Sequence, residues 1–296
     1  MPRTAEDLAS DDLFLSAILR CANELIAMYC ESPRIASIFA AQQRWLLAHA
    51  GFALFHGLPG GSEAALYSAR FVDFTREHKI ASRNTAVAFI QEMLAYRFLR
   101  PIPELSDRRT RLLEPTEIAN MNFVRWLRTH LAILDHLDQG ERVAKLDRHT
   151  QAFTKIQPLI AMELFNREDV RDPGPIFRVF NTANSGGVIM DYLMSHIDPT
   201  ALDGDVFFIG RISMKDIRER FMISNTHLKR LLKQAAALGG VGWADAPGRS
   251  DFWVSRRFVS EYQGYQAGKF AIIDAATAAV LGEERAARTP RAAAAT

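Results

Sequence analysis

The strongest constraint on this chain is an order of elements that its sequence predicts twice. In both halves a short helix, a tight turn, a helix opened by a serine, a hairpin and a further helix follow one another. The two serine-capped segments are SRNTAVAFIQEMLAYRFL, which begins at Ser82, and SNTHLKRLLKQAAALGGV, which begins at Ser224. They align with a one-residue gap after the serine, which places Asn84-Thr85 opposite Asn225-Thr226. We therefore expect two similar structural units in one chain.

Capping and turn residues place the elements of each unit. Ser82, Ser224 and Thr116 each stand where a side-chain oxygen can cap the helix that follows. Each serine-capped helix precedes two extended runs around a polar tip, and the second tip contains Pro247-Gly248, so both regions predict a β-hairpin. A helix-turn-helix followed by a hairpin is the winged-helix arrangement. Its second helix enters a major groove, and its hairpin, or wing, reaches the DNA backbone or the minor groove.

The predicted fold class is mainly α-helical with small β-hairpin wings, in tandem winged helix-turn-helix modules joined by long helices. The breaker RDPGP, at Arg171 to Pro175, marks a boundary between the halves. The predicted divisions are an N-terminal helical arm (1–32), a first winged-helix module with its long helix (33–140), a helical connector (141–175), a second winged-helix module (176–281) and a disordered tail (282–296).

Basic residues concentrate in two regions, although the whole chain has a formal charge of only +2. Nine Lys/Arg stand against five Asp/Glu between Arg70 and Arg111, and ten stand against four between Arg211 and Arg257. The rest of the chain is acidic, with 17 basic and 25 acidic residues. Two basic islands in an acidic chain are expected where two local surfaces meet a polyanion, and solvated basic faces are the alternative.

The first hairpin carries a more specific signal. The segment DRRTRLLEPTE, Asp107 to Glu117, has an Asp-x-Arg tip, an extended strand and a threonine that opens a helix. It resembles the wing of the MarR family of transcriptional regulators, at whose spacing Asp107, Arg109 and Thr116 fall. The resemblance covers roughly residues 33–138 and places the helix from Thr116 to Asp138 where that family has its dimerisation helix. It implies that Arg109 reaches into a minor groove while Asp107 orients it.

The chain departs from the MarR pattern in three respects. That family usually carries one module per chain and dimerises, and its wing strand has an apolar residue where Pro115 stands. The second hairpin has Arg249 near its turn but no Asp-x-Arg tip. Two modules in one chain could act as an internal pseudo-dimer, and the sequence leaves open whether a homodimer also forms.

The second serine-capped helix offers the groups that duplex recognition requires, since cations bind phosphates while amides, hydroxyls and guanidinium groups read base edges. Its predicted DNA-binding residues are Ser224, Asn225, Thr226, His227, Lys229, Arg230 and Lys233. Asn225, Thr226 and His227 are the candidates to read bases, and the three cations share an outer face at helical spacing and are expected to hold phosphates. A solvated basic face or a protein partner would be the alternative.

The first serine-capped helix and the two wings complete the candidate interface. The predicted DNA-binding residues are Ser82, Arg83, Asn84, Thr85 and Gln91 in the helix, Asp107, Arg108, Arg109 and Arg111 in the first wing, and Arg249 in the second. Arg83 is the best candidate for a bidentate contact to guanine. Ser82 could instead serve only as a helix cap, and Glu92 would repel phosphate and is expected to point away from DNA.

Other classes of protein find less support in the sequence. No run approaches the ~18 apolar residues of a membrane span, and the acidic N-terminus does not resemble a secretory signal, so a cytoplasmic location without membrane contact is expected. Cys21 and Cys30 fit no metal spacing, and His130 and His136 are poorly placed as metal partners. The segment NTANSGG is neither of the common phosphate-binding fingerprints and predicts a helix break. We expect no enzyme activity, no metal and no cofactor.

The sequence thus favours a DNA-binding transcriptional regulator that contacts double-stranded DNA through two winged-helix modules. If a small-molecule effector regulates it, the apolar space between the long helices and the modules is the expected pocket. A plasmid-type replication initiator, which also resembles two winged helices in one chain, is the first alternative. A winged-helix scaffold that binds protein and not DNA is the second.

Overall fold

The computed structural model describes residues 1–61, 63–103 and 111–287 of the chain. The described part is mainly helical with two small antiparallel sheets, which confirms that level of the predicted fold class. The helices are α1 (Ala5–Ala9), α2 (Phe14–Glu31), α3 (Pro33–Ala36), α4 (Gln42–His56), α5 (Ser68–Glu77), α6 (Arg83–Ala95), α7 (Glu117–Asp138), α8 (Arg142–Arg148), α9 (Ala152–Asn166), α10 (Glu168–Arg171), α11 (Pro175–Asn181), α12 (Gly186–Met194), α13 (Met214–Arg220), α14 (Asn225–Ala237) and α15 (Arg256–Ala287). The strands are β1 (Leu99–Pro101), β2 (Leu113–Pro115), β3 (Leu202–Asp203), β4 (Val206–Phe208), β5 (Val241–Trp243) and β6 (Phe252–Ser255).

The C-terminal helix is longer than the sequence predicts. Helix α15 continues to Ala287 and so includes the first six residues of the predicted tail, 282–287. Residues 288–296 lie outside the described part. Among the described helices, none combines the length and hydrophobicity that crossing a bilayer requires.

The order of elements repeats along the chain, as predicted. In the first half α4 precedes α5, α6, the β1–β2 hairpin and α7. In the second half α12 precedes α13, α14, the β5–β6 hairpin and α15. Each half therefore contains a helix, a pair of helices, a hairpin and a long helix, and the second half adds β3 and β4 between α12 and α13.

The two halves agree in register from the capping serine to the first hairpin strand. Both α6 and α14 have 13 residues, and three residues separate each from its strand. One residue of each connection is left-handed, Arg97 with φ 59° and Gly239 with φ 70°. The sequence alignment was wrong to place a gap after the serine. The extra residue, Ala81, lies before the serine, in a turn where Ile80 N and Ile223 N bond to corresponding carbonyls, those of Thr75 and Arg218.

The two sheets arrange their strands in the same way but differ in the number of strands. Strand β6 lies between β5 and β4, and β3 extends the sheet beyond β4, giving the order β3-β4-β6-β5. In the first half β2 pairs with β1, and a single antiparallel bridge joins Leu113 to Leu66 on its other side. The amide of Leu113 donates to the carbonyl of Leu66 at 2.8 Å, as the amide of Phe252 does to the carbonyl of Gly210. Both hairpins predicted from the sequence are confirmed.

The halves are held together by exchanged helices. Helix α2, which precedes the first half, packs on α12 of the second, and α9, which precedes the second half, packs on α4 of the first. Helices α2 and α9 also pack on α7 and α15 respectively, and α7 contacts α15. The buried apolar residues consequently form one continuous core through both halves.

A network of ion pairs and hydrogen bonds, centred on the buried Asp274, joins the N-terminal segment, α8 and α15. Arg142 Nε donates to Asp274 Oδ1 at 2.7 Å, and Arg142 Nη2 donates to Asp138 Oδ2 at 2.7 Å. The second oxygen of Asp274 accepts the backbone N–H of Arg3 at 2.8 Å. Only 3% of the Asp274 side chain is exposed, so these two partners take the place of water around its carboxylate.

We predict that Asp274→Ala lowers the free energy of unfolding by about 2–4 kcal/mol, because the partly buried Arg142 guanidinium and the Arg3 amide lose an acceptor. Urea unfolding followed by circular dichroism measures this change. The matched control is Asp169→Ala, which breaks the exposed pair with Arg167 and should cost less than about 1 kcal/mol. Equal stabilities of the two variants would contradict the role of the network.

A buried histidine connects α4 to the long helix α7. His49 is fully buried, and its ring lies 4.2 Å from the Trp45 ring, 4.9 Å from that of Phe123 and 5.4 Å from that of Trp126, centroid to centroid. Burial lowers the pKa of His49 to about 3. The folded protein therefore keeps this ring neutral at pH values where the unfolded chain would protonate it.

The lowered pKa of His49 predicts a loss of stability in acid. The stability is complete above the unfolded pKa of 6.5 and falls as the pH drops from 6.5 towards 3, because only the unfolded state takes up the proton. Between pH 7 and pH 5 this one residue should contribute a loss of about 2 kcal/mol. Urea unfolding at the two pH values should show a fall that is smaller by that amount in His49→Phe. The same pH dependence in both proteins would refute the assignment.

Candidate nucleic-acid interface

Helix α14 is divided into an apolar face and a cationic face. Leu228, Leu231, Leu232 and Ala235 are buried, whereas Lys229, Arg230 and Lys233 are exposed. This division follows from helical spacing, since the leucines recur every three or four residues and pack on α11, α13 and β5. The three cations predicted to hold phosphates therefore lie together on the outer side of the helix.

These three cations have no carboxylate partner within the described residues, since none of the ion pairs there includes them. Some neighbouring arginines are paired instead: Arg178 lies 2.5 Å from Asp172, and Arg257 lies 3.0 Å from Glu261. A cation that is already paired contributes little attraction for an external anion. The face of α14 thus keeps its full positive charge for a partner.

The first turn of α14 presents further polar groups. Ser224 Oγ accepts the N–H of His227 at 3.2 Å, so this serine is the helix cap, and Asn225 and Thr226 are exposed beside it. His227 is only half-exposed. Burial lowers its pKa, and the neighbouring Arg230 cation lowers it further. Asn225 and Thr226 are accordingly better placed than His227 to meet a partner in solution.

The sequence did not indicate what packs beside His227. The predicted helix break in NTANSGG is confirmed, because α11 ends at Asn181 and α12 begins at Gly186. Residues of this break, Thr182 and Asn184 among them, line a groove of about 280 Å³ together with His227, Arg230 and Gln234. Gly186 is required at the break, since a Cβ there would collide with the carbonyl of Phe180. The segment NTANSGG thus forms one wall beside the candidate interface.

Helix α6 has the same length and the same kind of serine cap as α14, but its outer face carries different side chains. Ser82 Oγ accepts the N–H of Thr85 at 3.3 Å, so Ser82 is confirmed as a helix cap. Arg83, Asn84 and Gln91 are exposed, while Thr85 is half-buried. In the common register, Val87, Ala88 and Gln91 take the positions of Lys229, Arg230 and Lys233. The face of α6 that corresponds to the cations is therefore neutral.

Acidic Glu92 is engaged on the inner side of α6. Its carboxylate accepts a hydrogen bond from Arg44 of α4, whose guanidinium carbon lies 5.4 Å from the centre of the Phe89 ring. The carboxylate is thereby neutralised by an internal cation. The exposed polar side chains of α6 that remain for a partner are Arg83, at the start of the helix, and the amides Asn84 and Gln91.

The two hairpin tips differ in how far the structure describes them. Asp107, Arg108 and Arg109 lie outside the described residues, whereas Arg111, just before β2, is exposed. Arg249 is exposed in the turn between β5 and β6, beside Gly248, which has φ 74°. Its backbone N–H donates to the carbonyl of Ala246 at 3.0 Å, which leaves the guanidinium at the surface.

The chain matches no protein-family model, no curated protein and no solved structure. The candidate interface is therefore defined by its own residues: the capped α14 with its unpaired cations, the capped α6 with its neutral face, and the hairpin after each.

We predict that Ser224→Ala and Ser82→Ala each lower the free energy of unfolding by about 1 kcal/mol, because each leaves a helix amide without its acceptor. Aspartate at either position, which retains an acceptor, should keep most of the stability. Urea unfolding of the four variants measures the difference. Alanine variants as stable as the wild type would show that the hydroxyls do not act as caps.

Proposed function

We propose that the protein is a DNA-binding transcriptional regulator that contacts double-stranded DNA through two winged-helix units. The observation that carries this proposal is the outer face of α14. Lys229, Arg230 and Lys233 are exposed and unpaired within the described residues, on a capped helix that directly precedes a hairpin. The second helix of such an arrangement enters a major groove, and its cations bind phosphates.

We infer that the two units make different kinds of contact with DNA. Helix α14 supplies phosphate contacts and hence most of the salt-dependent affinity. Helix α6 supplies Arg83, Asn84 and Gln91, whose guanidinium and amide groups suit base edges better than phosphates. The two units form an internal pseudo-dimer, as the exchange of α2 and α9 between the halves favours. Since target symmetry mirrors protein symmetry, this pseudo-dimer would read two different half-sites rather than a palindrome.

The alternatives depend on the same surface. A plasmid-type replication initiator is the second candidate, because two units within one chain also suit binding to repeated origin elements. The choice between the two depends on whether the bound sequence lies in a promoter or in such repeats. A winged-helix scaffold for a protein partner would not need unpaired cations on α14, so we place it third. We propose a binding role and no catalytic one.

We predict that Lys229→Ala/Arg230→Ala/Lys233→Ala weakens binding to genomic DNA fragments in a mobility-shift assay. The triple variant should also reduce the steepness of the salt dependence, by about two to three units of the slope of log K against log salt, because each lost phosphate contact removes about 0.9. Titration from low to moderate salt measures both effects.

The matched control removes three other cations, Arg20, Arg34 and Lys155, which are also exposed and without an ion-pair partner in the described part of the chain. Its salt slope should equal that of the wild type. A wild-type protein that fails to shift DNA at low salt would contradict the proposed function. Equal slopes for both triple variants would instead contradict the assignment to α14.

A further inference from the structure

A cavity of about 480 Å³ lies between the two halves of the protein. Its walls are mostly apolar and come from both halves: Phe52, Phe89 and Trp126 on one side, and Phe177 and Met190 on the other. Its volume lies within the roughly 300–1,000 Å³ of small-molecule sites in proteins. Exposed lining residues such as Ser32 and Ile118 mark where the cavity reaches the surface, between the end of α2 and the start of α7.

One buried cation lines this otherwise apolar space. Lys269, on α15, is only 4% exposed, and neither a hydrogen bond nor an ion pair holds its ammonium group within the described residues. The ammonium nitrogen lies 5.2 Å from the centre of the Tyr265 ring and 5.6 Å from that of Phe270. Such aromatic faces attract a cation but satisfy none of its three N–H donors as a hydrogen bond would.

The polar groups near Lys269 do not satisfy it either. The carboxylate of Asp191 accepts the hydroxyl of Tyr262 at 2.8 Å, and burial raises the pKa of Asp191 to about 6. Asp191 and Lys269 are farther apart than an ion pair, since none of the described ion pairs joins them. One turn before Lys269, the buried Oε1 of Gln266 has no hydrogen-bond partner. The polar end of the cavity therefore offers a free cationic donor and a free acceptor side by side.

A buried ammonium without a hydrogen-bond or ion-pair partner is costly, because it has lost its hydration, and burial lowers the pKa of Lys269. The Asp191 carboxylate attracts this ammonium group only from beyond ion-pair distance, so it offsets that cost in part. A ligand that brings an anionic group to Lys269 and an apolar body to the aromatic walls would remove that cost and fill the space. We propose that this cavity binds an amphipathic organic monoanion, an apolar or aromatic acid, whose anionic group pairs with Lys269. This site does not rest on DNA binding and can be tested without DNA.

Two fluorescent probes separate the anion from the apolar body. The monoanion 1-anilinonaphthalene-8-sulfonate and its neutral counterpart N-phenyl-1-naphthylamine share their rings and differ in the sulfonate. Titration of the full-length protein with each probe gives two dissociation constants. We expect the wild type to bind about one sulfonate probe per chain. In Lys269→Met that affinity should fall about tenfold or more, the loss of one charged hydrogen bond, while the affinity for the neutral probe stays within about twofold.

Lys155→Met, on the exposed face of α9, is the matched control and should bind both probes as the wild type does. Lys269→Arg should retain most of the affinity for the sulfonate probe. Far-UV circular dichroism shows whether each variant is folded. The proposal is overturned if the folded wild type binds neither probe. It is also overturned if Lys269→Met binds the sulfonate probe as tightly as the wild type, or loses both probes equally.

Discussion

The structure depends on two helices, α2 and α9, each of which packs against the half of the protein that it does not precede. The first helix of each half, α4 or α12, packs on a helix that precedes the other half, α9 or α2. Neither half can bury its apolar surface with its own elements alone, so the halves are expected to fold as one unit. The same exchange builds the cavity between them, since its aromatic walls come from both sides. The hydrophobic surface that joins the halves thus also shapes the space around Lys269.

On this shared frame the two halves have different surfaces. The backbone follows the same course in both halves. The capped helices, the left-handed residue after each and the hairpin strands agree in register. The side chains on the outer faces of α6 and α14 differ, because exposed positions contribute little to packing and can change freely. When the two helices are aligned from their capping serines, the positions of Lys229, Arg230 and Lys233 in α14 are taken in α6 by Val87, Ala88 and Gln91. A frame of this kind can place two unequal surfaces at a fixed separation, which suits recognition of an asymmetric target.

Much of the local structure could be predicted from sequence, because caps, turns and helical periodicity act over a few residues. Ser82, Ser224 and the turn at Pro247-Gly248 were identified in this way. The exchange of α2 and α9 could not, since it depends on contacts between residues more than a hundred positions apart. Lys269 gave no signal either. A single lysine in a helical pattern indicates an exposed side chain, and only the packing of α15 against both halves buries it.

The proposed function requires that one chain carries two unequal DNA-binding units. Hydroxyl-radical footprinting on a bound fragment, combined with the protein-to-DNA stoichiometry from sedimentation, tests it most directly. We expect one chain per site and two protected patches about one helical turn apart, with the stronger backbone protection at one of them. Two chains arranged symmetrically on a palindrome, or a single protected patch, would contradict it.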